Sequence, residues 1–230
     1  MASLNDLVSH MTLRARILAS SAIFFIALTY LFAWSPLLTV KTISASGFPA
    51  GVSSESIVSK SGISVGEKLA RIEPRSVEKL LGEMSWVKEV AVSRNWIKGD
   101  VAIVIKGRIP VGLYKGKAID SSGTLFDMPG GKAKGLPTVS AATPELGLAA
   151  ISLFTELPND LRESLISMSA ANGSAITSWH RESGRNVKIT WGSPKEVELK
   201  VSVYRALLLL PENSNIRSAD LSAPHAPIVR

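Results

Sequence analysis

The chain has 230 residues, with 26 Lys and Arg against 19 Asp and Glu, a formal net charge of +7. It has no cysteine, which excludes disulfides, thiolate catalysis and cysteine-based zinc sites together. The basic residues are scattered, with no run of four and no basic–aromatic motif, so the charge points to an anionic membrane surface and not to nucleic acid.

A short polar head, residues 1–16, precedes an uncharged stretch from Ile17 to Trp34, ILASSAIFFIALTYLFAW. Roughly eighteen to twenty helical residues cross a bilayer's hydrocarbon core, so residues 17–36 read as a transmembrane helix closed by Pro36. Arg14 and Arg16 favour a cytoplasmic N-terminus, and Tyr30 and Trp34 are placed like interfacial aromatics. Ser20, Ser21 and Thr29 are hydroxyls that can bond back to their own helix. A cleaved signal peptide has a shorter apolar core, and Pro36 just after Ala33-Trp34-Ser35 would hinder cleavage. Everything from about Leu37 is then expected outside the cytoplasm, and a cysteine-free ectodomain favours a bacterial envelope.

About 190 residues remain, room for one large or two small domains. Leu37 to Ala45 alternates as a strand stopped at Gly47. Ser53 to Lys60 is a short helix capped by Ser53 or Ser54, with Gly62 beyond its end. Glu73-Pro74 opens a second helix, with Val77, Leu80, Leu81 and Met84 on one face. Trp86 to Arg94 and Val101 to Lys106 form a hairpin around Lys98-Gly99-Asp100. Strand, helix, helix, strand, strand describes a small α+β layer, two helices over a three-stranded sheet, with its boundary at Ile109-Pro110.

Beyond it come short strands, Val111 to Tyr114, Lys117 to Asp120 and Thr124 to Phe126, then a glycine- and lysine-rich loop from Met128 to Pro137. Glu145 to Leu157 is helical, and Ile166 to Ala170, Ser174 to Trp179 and Val187 to Trp191 read as a meander. The helix from Pro194 to Leu210 carries Glu196 and Lys200 as a pair on its wet side, with Val197, Val201, Tyr204 and Leu208 opposite. A last strand, Ile216 to Leu221, is followed by a tail, Ala223 to Arg230.

Little in the chain reads as chemistry. Gly62-Ile63-Ser64-Val65-Gly66 matches the nucleophile-elbow pattern, but that chemistry needs a strand before the serine and a helix after it. His10, His180 and His225 are isolated from one another and from carboxylates at ligand spacing. Asp120, Asp127 and Asp160 read as turn residues, and Trp86, Trp96 and Trp191 as packing. No catalytic, metal or cofactor residue is assigned.

Several patches carry a resemblance. They are Val40-x-x-Ile43-x-Ala45-x-Gly47, Gly62-Ile63-x-x-Gly66-x-x-Leu69, and Trp86-Val87-x-x-Val90-x-Val92-x-Arg94-x-Trp96 leading to Val101-x-Ile103. These resemble a POTRA domain. With the span ahead, and with Ile109-Pro110-Val111-Gly112, Ile119-Asp120-x-x-Gly123-x-x-Phe126, Leu136-Pro137, Trp191-Gly192 and Ile216-x-x-Ala219-Asp220-Leu221-Ser222-Ala223-Pro224 behind, the chain resembles the bacterial cell-division family FtsQ/DivIB. Ser85, Ile97 and Gly107 depart from that family's pattern, in turns or at a strand end. The absent cysteines and the close at Arg230 fit an actinobacterial member.

The resemblance implies an α+β chain divided as residues 1–16 (cytoplasmic tail), 17–36 (transmembrane helix), 37–108 (POTRA, β-α-α-β-β) and 109–230 (a mixed, β-rich FtsQ-type domain). It implies a non-enzymatic scaffold of the divisome in the cell membrane, single-pass type II and gathered at mid-cell, with FtsB- and FtsL-like partners and other division proteins meeting the POTRA domain and the span. Partner contact is expected by strand addition at a C-terminal sheet edge, through Ile216, Arg217, Ser218, Ala219, Asp220 and Leu221, with Tyr204 beside them. Two other functions are weighed against it. An envelope transport or assembly factor with a POTRA domain would need a β-barrel's worth of alternating strands, and a serine hydrolase would need the missing elbow context.

Overall fold

With no proline or glycine to interrupt it, Leu13–Ala33 forms one helix of 21 residues, α1. The computed structural model describes residues 13–33, 38–131, 135–182 and 184–230. Ile17, Leu18, Ile23 to Ile26 and Tyr30 are all 58–71% exposed, and Thr29 Oγ1 donates back to the Phe25 carbonyl at 2.8 Å. Among the described residues no helix is long and apolar enough to cross a membrane, so the span expected over Ile17 to Trp34 is not found as such. Arg14 and Arg16 occupy the first turn of α1, and the residues after them to Ala33 carry no charge. Trp34, Ser35 and Pro36 lie outside the described residues.

The chain divides into two compact units, Met1–Gly107 and Arg108–Arg230. In the first, β1 (Thr42–Ser46), α2 (Ser54–Ser61), α3 (Pro74–Gly82), β2 (Val87–Asn95) and β3 (Asp100–Gly107) follow in order. Ser53 caps α2 by accepting from Ser56 N at 3.1 Å, and Gly62 ends it at φ 72°. Pro74 starts α3 where its missing N–H costs nothing. The sheet order is β1-β3-β2, with β1 parallel and β2 antiparallel to the central β3. Ile57, Val77 and Leu81 from the helices meet Val101, Ile103 and Ile105 from β3 in one buried cluster.

Gly47 ends β1 at φ 80°, and a Cβ there would run into the Ile105 carbonyl. Gly47→Ala is therefore expected to cost this unit about 2 kcal/mol, read as a lower urea midpoint for its unfolding, from backbone strain and collision together.

The second unit is built on a nine-stranded sheet of order β12-β11-β10-β9-β8-β7-β4-β5-β6. Its strands are β4 (Pro110–Tyr114), β5 (Lys117–Asp120), β6 (Leu125–Phe126), β7 (Thr138–Ala141), β8 (Leu165–Ala170), β9 (Ile176–Glu182), β10 (Arg185–Gly192), β11 (Ser218–Asp220) and β12 (Ile228–Val229). Helices α4 (Pro144–Glu156), α5 (Asn159–Ser164) and α6 (Val197–Leu208) complete it. Leu153 and Phe154 of α4 and Val201 and Tyr204 of α6 share one core with Ile176, Ile189 and Trp191 of the strands. The alternate strand residues, such as Thr177, Trp179 and Lys188, lie on the uncovered face.

Three parts of this unit differ from the sequence expectation. β7, α5 and β12 are short elements whose residues carry no period of their own. The long helix begins at Val197, because Glu196 before it sits at φ 56°, outside helical space. Lys200, expected on the wet side beside Glu196, is 1% exposed. Its ammonium reaches back to donate to the carbonyls of Trp191 at 2.7 Å and Ser193 at 2.8 Å. Burial drives its pKa below the usual lysine range, against the pull of Glu196.

Candidate partner-binding edge

Strand β10 pairs in parallel with β11, Lys188 opposite Ser218 and Thr190 opposite Asp220, a connection that α6 makes possible as a crossover. After β11 the chain turns through Ser222 to Ala226 and returns antiparallel as β12, Val229 opposite Ala219 and Ile228 opposite Asp220. Asp220 shapes that turn: its Oδ1 accepts from Ser222 N at 3.0 Å and Ser222 Oγ at 2.6 Å.

The strand expected at the edge, Ile216 to Leu221, is thus shorter and lies second from it. The tail satisfies the backbone groups that β11 would otherwise leave open. Ile216, Ala219 and Leu221 are at most 6% exposed and face the core, and Tyr204 is 0% exposed, so none of these four offers its side chain to a partner. Arg217 is exposed, and Ser218 and Asp220 are half-buried on the outer face. The edge itself is β12, with no further strand beyond it among the described residues. Ile228-Val229 carried a weak signal in the sequence, two β-branched residues after Pro224 and Pro227.

The ladder fixes which groups are open. Arg230 and Ser218 exchange both bonds, Arg230 N to Ser218 O at 3.0 Å and Ser218 N to Arg230 O at 2.9 Å. Such pairs alternate along an antiparallel ladder, so the N–H and C=O of Val229 point away from β11 to the free side. Beside them Lys188, Thr190, Ser218, Asp220, Ile228 and Arg230 line a shallow cleft of about 210 Å3 on the outer face.

Behind the edge lies a buried polar chain. Trp191 Nε1 donates to Ser178 Oγ at 2.6 Å, Ser178 Oγ meets His180 Nε2 at 2.7 Å, and His180 Nδ1 meets Ser164 Oγ at 3.0 Å. Burial holds the imidazole pKa down to about 4, although a backbone bond at Leu161 pulls the other way. Above pH 6.5 the ring is neutral in folded and unfolded chains alike. Between pH 6.5 and about 4 only the unfolded chain takes up the proton, so stability should fall by about 3 kcal/mol in that window. Urea unfolding of the second unit across that pH range should show this loss, and His180→Gln should lack it.

The remaining chemical candidates are not brought together. Ser64 follows α2 with no strand before it, and its N–H donates to Glu67 Oε2 at 3.3 Å, so the elbow context is missing. His225 is exposed, and His10 lies outside the described residues. Among the described residues no three His, Asp or Glu side chains are grouped to hold a metal ion. Asp120 is a turn residue. Burial works against its charge, but hydrogen bonds from Ser122, Arg108 at 2.8 Å and Thr124 prevail and lower its pKa to about 2.

No curated protein matches the chain. Residues 38–108, the stretch that folds as β1-α2-α3-β2-β3, match a family model described as POTRA domain, FtsQ-type. This match identifies residues 38–108 as a POTRA domain of the FtsQ type and supports the resemblance to the FtsQ/DivIB family.

Proposed function

We propose that the protein is a non-enzymatic, membrane-associated scaffold of the division septum that docks a partner strand along β12. The observation that carries this is the outward-facing Val229 backbone at an open sheet edge, on a chain whose other unit is an FtsQ-type POTRA domain. Main-chain bonds to Val229 supply affinity. Ile228, Ser218, Asp220 and Arg217 frame the contact, while Tyr204, Ile216, Ala219 and Leu221 support it from the core. The partners are FtsB- and FtsL-like division proteins, the first supplying the strand. Other division proteins meet the POTRA domain and the helix.

Membrane association rests on α1, whose contiguous exposed apolar side chains are costly in water and favourable in lipid. Arg14 and Arg16 orient it with the N-terminus in the cytoplasm and the bulk of the chain outside, as a single pass over residues 17–36. Residues 37–108 and 109–230 are then the POTRA and partner-binding domains. A fluorescent fusion imaged in dividing cells should gather at mid-cell, and a uniform envelope signal would contradict the reading.

A further inference from the structure

The end of the POTRA domain that receives the chain from α1 also carries its two most exposed large apolar side chains, Ile97 and Val65. Thr39 bridges Lys68, Val40 N donates to Glu67 O and Gly66 N to Val40 O, both at 2.8 Å. On the other side Lys41 N donates to Gly99 O at 2.8 Å. The incoming segment is therefore flanked by two loops. One presents Val65, 68% exposed, and the other presents Ile97, 93% exposed, beside Trp96, 36% exposed.

Both loops are held in place. Asn95 Oδ1 accepts from Ile97 N at 3.1 Å and Lys98 N at 3.0 Å, and Gly99 N donates to Asn95 O at 2.8 Å. Arg94 donates to the carbonyls of Leu69 at 2.9 Å and Ile72 at 2.6 Å, and its guanidinium lies 5.0 Å from the Trp96 ring centroid. Lys41, Lys68, Lys98 and Arg94 outnumber Glu67 and Asp100 at this end, and Glu67 already accepts from Ser64 N.

We propose that Val65, Trp96 and Ile97 dip into the lipid headgroup region and seat the POTRA domain on the membrane surface. The occupant is lipid for two reasons. Between Ala33 at the end of α1 and Leu38 there are only four residues, so this end of the domain starts within about 18 Å of α1. Three side chains are also far too little for a stable protein interface, which needs about 800 Å2 per partner. For a chain already tethered beside lipid they suffice, because the second contact is intramolecular. Aliphatic and aromatic tips ringed by lysine match the boundary between acyl chains and anionic headgroups.

The inference rests on the membrane association proposed above, and its test separates the two. The chain has no cysteine, so single-cysteine variants need no altered background. Ile97→Cys, Val65→Cys, Ser21→Cys and Lys88→Cys would each be labelled with bimane in the full chain. They would be reconstituted in phosphatidylcholine–phosphatidylglycerol vesicles carrying a spin label high on the acyl chain. Lys88 is exposed near the opposite end of β2 and serves as reference. Labels at positions 97 and 65 should be quenched at least about twofold more than the label at 88, and less so when phosphatidylglycerol is replaced by neutral lipid. Equal quenching at 97, 65 and 88 while position 21 is quenched would overturn the seating alone. An unquenched label at position 21 would overturn membrane association itself.

Discussion

Val229→Pro should cut capture of the FtsB-like partner by about 30-fold while leaving the fold intact. Proline removes the one backbone donor that β12 turns outward, and its ring occupies the line a partner strand must follow. The bonds holding β12 to β11 run through Arg230 and Ser218 and do not use the Val229 N–H, so the ladder behind survives. Proline is tolerated on an edge strand whose N–H faces solvent. Val229→Ala keeps the donor and should retain most of the affinity. Binding titrations of the full chain against the partner's extracytoplasmic segment, with circular dichroism melts as the fold control, give the comparison. Undiminished capture by the proline variant would move the contact away from β12.

A large stability effect is expected at Lys200. Lys200→Met keeps the length of the side chain and removes its charge and three donors, leaving the Trp191 and Ser193 carbonyls without their ammonium partner. Trp191 is 0% exposed, so water cannot readily replace that partner on its carbonyl. Loss of two charge-assisted bonds, one to a buried and one to a part-buried acceptor, should cost about 3 kcal/mol. The turn they hold ends β10, the strand against which β11 and then β12 are laid. Partner capture should therefore weaken as well, and Lys200→Arg should not rescue it, because a planar guanidinium does not fit a site built for an ammonium. Urea unfolding monitored by the buried Trp191 gives the stability change. A loss below about 1 kcal/mol would mean that the two carbonyls find other partners.

Local patterns were enough to read the first unit. Ser53, Gly62, Pro74 and the alternation of Val101, Ile103 and Ile105 each act within a few residues, so caps, helices and hairpin follow from neighbours in the chain. In the second unit the decisive contacts are distant. Ile228-Val229 is a strand only because Ser218–Asp220 lies beside it, and two residues have no period to detect. Lys200 follows the i, i+4 rule with Glu196 on a helical wheel, yet two carbonyls converge on it seven and nine positions back along the chain. Tyr204 belongs to the apolar side of its helix, as the periodicity predicts, and its ring is enclosed by the core. The hydrophobic pattern predicts the edge in the strand Ile216 to Leu221, whereas the tail after it supplies one more. The apolar stretch from Ile17 is plain in the sequence, and it lies in one helix, α1, that begins with two arginines in its first turn.

Amide hydrogen exchange of the segment 222–230, followed with and without the FtsB-like partner, tests the central claim most directly. An added strand must bond the Val229 amide, so exchange in this segment should slow strongly on binding while the POTRA hairpin 87–107 is unchanged. Exchange in 222–230 that is unaffected by a saturating partner, with protection appearing at another site, would contradict it.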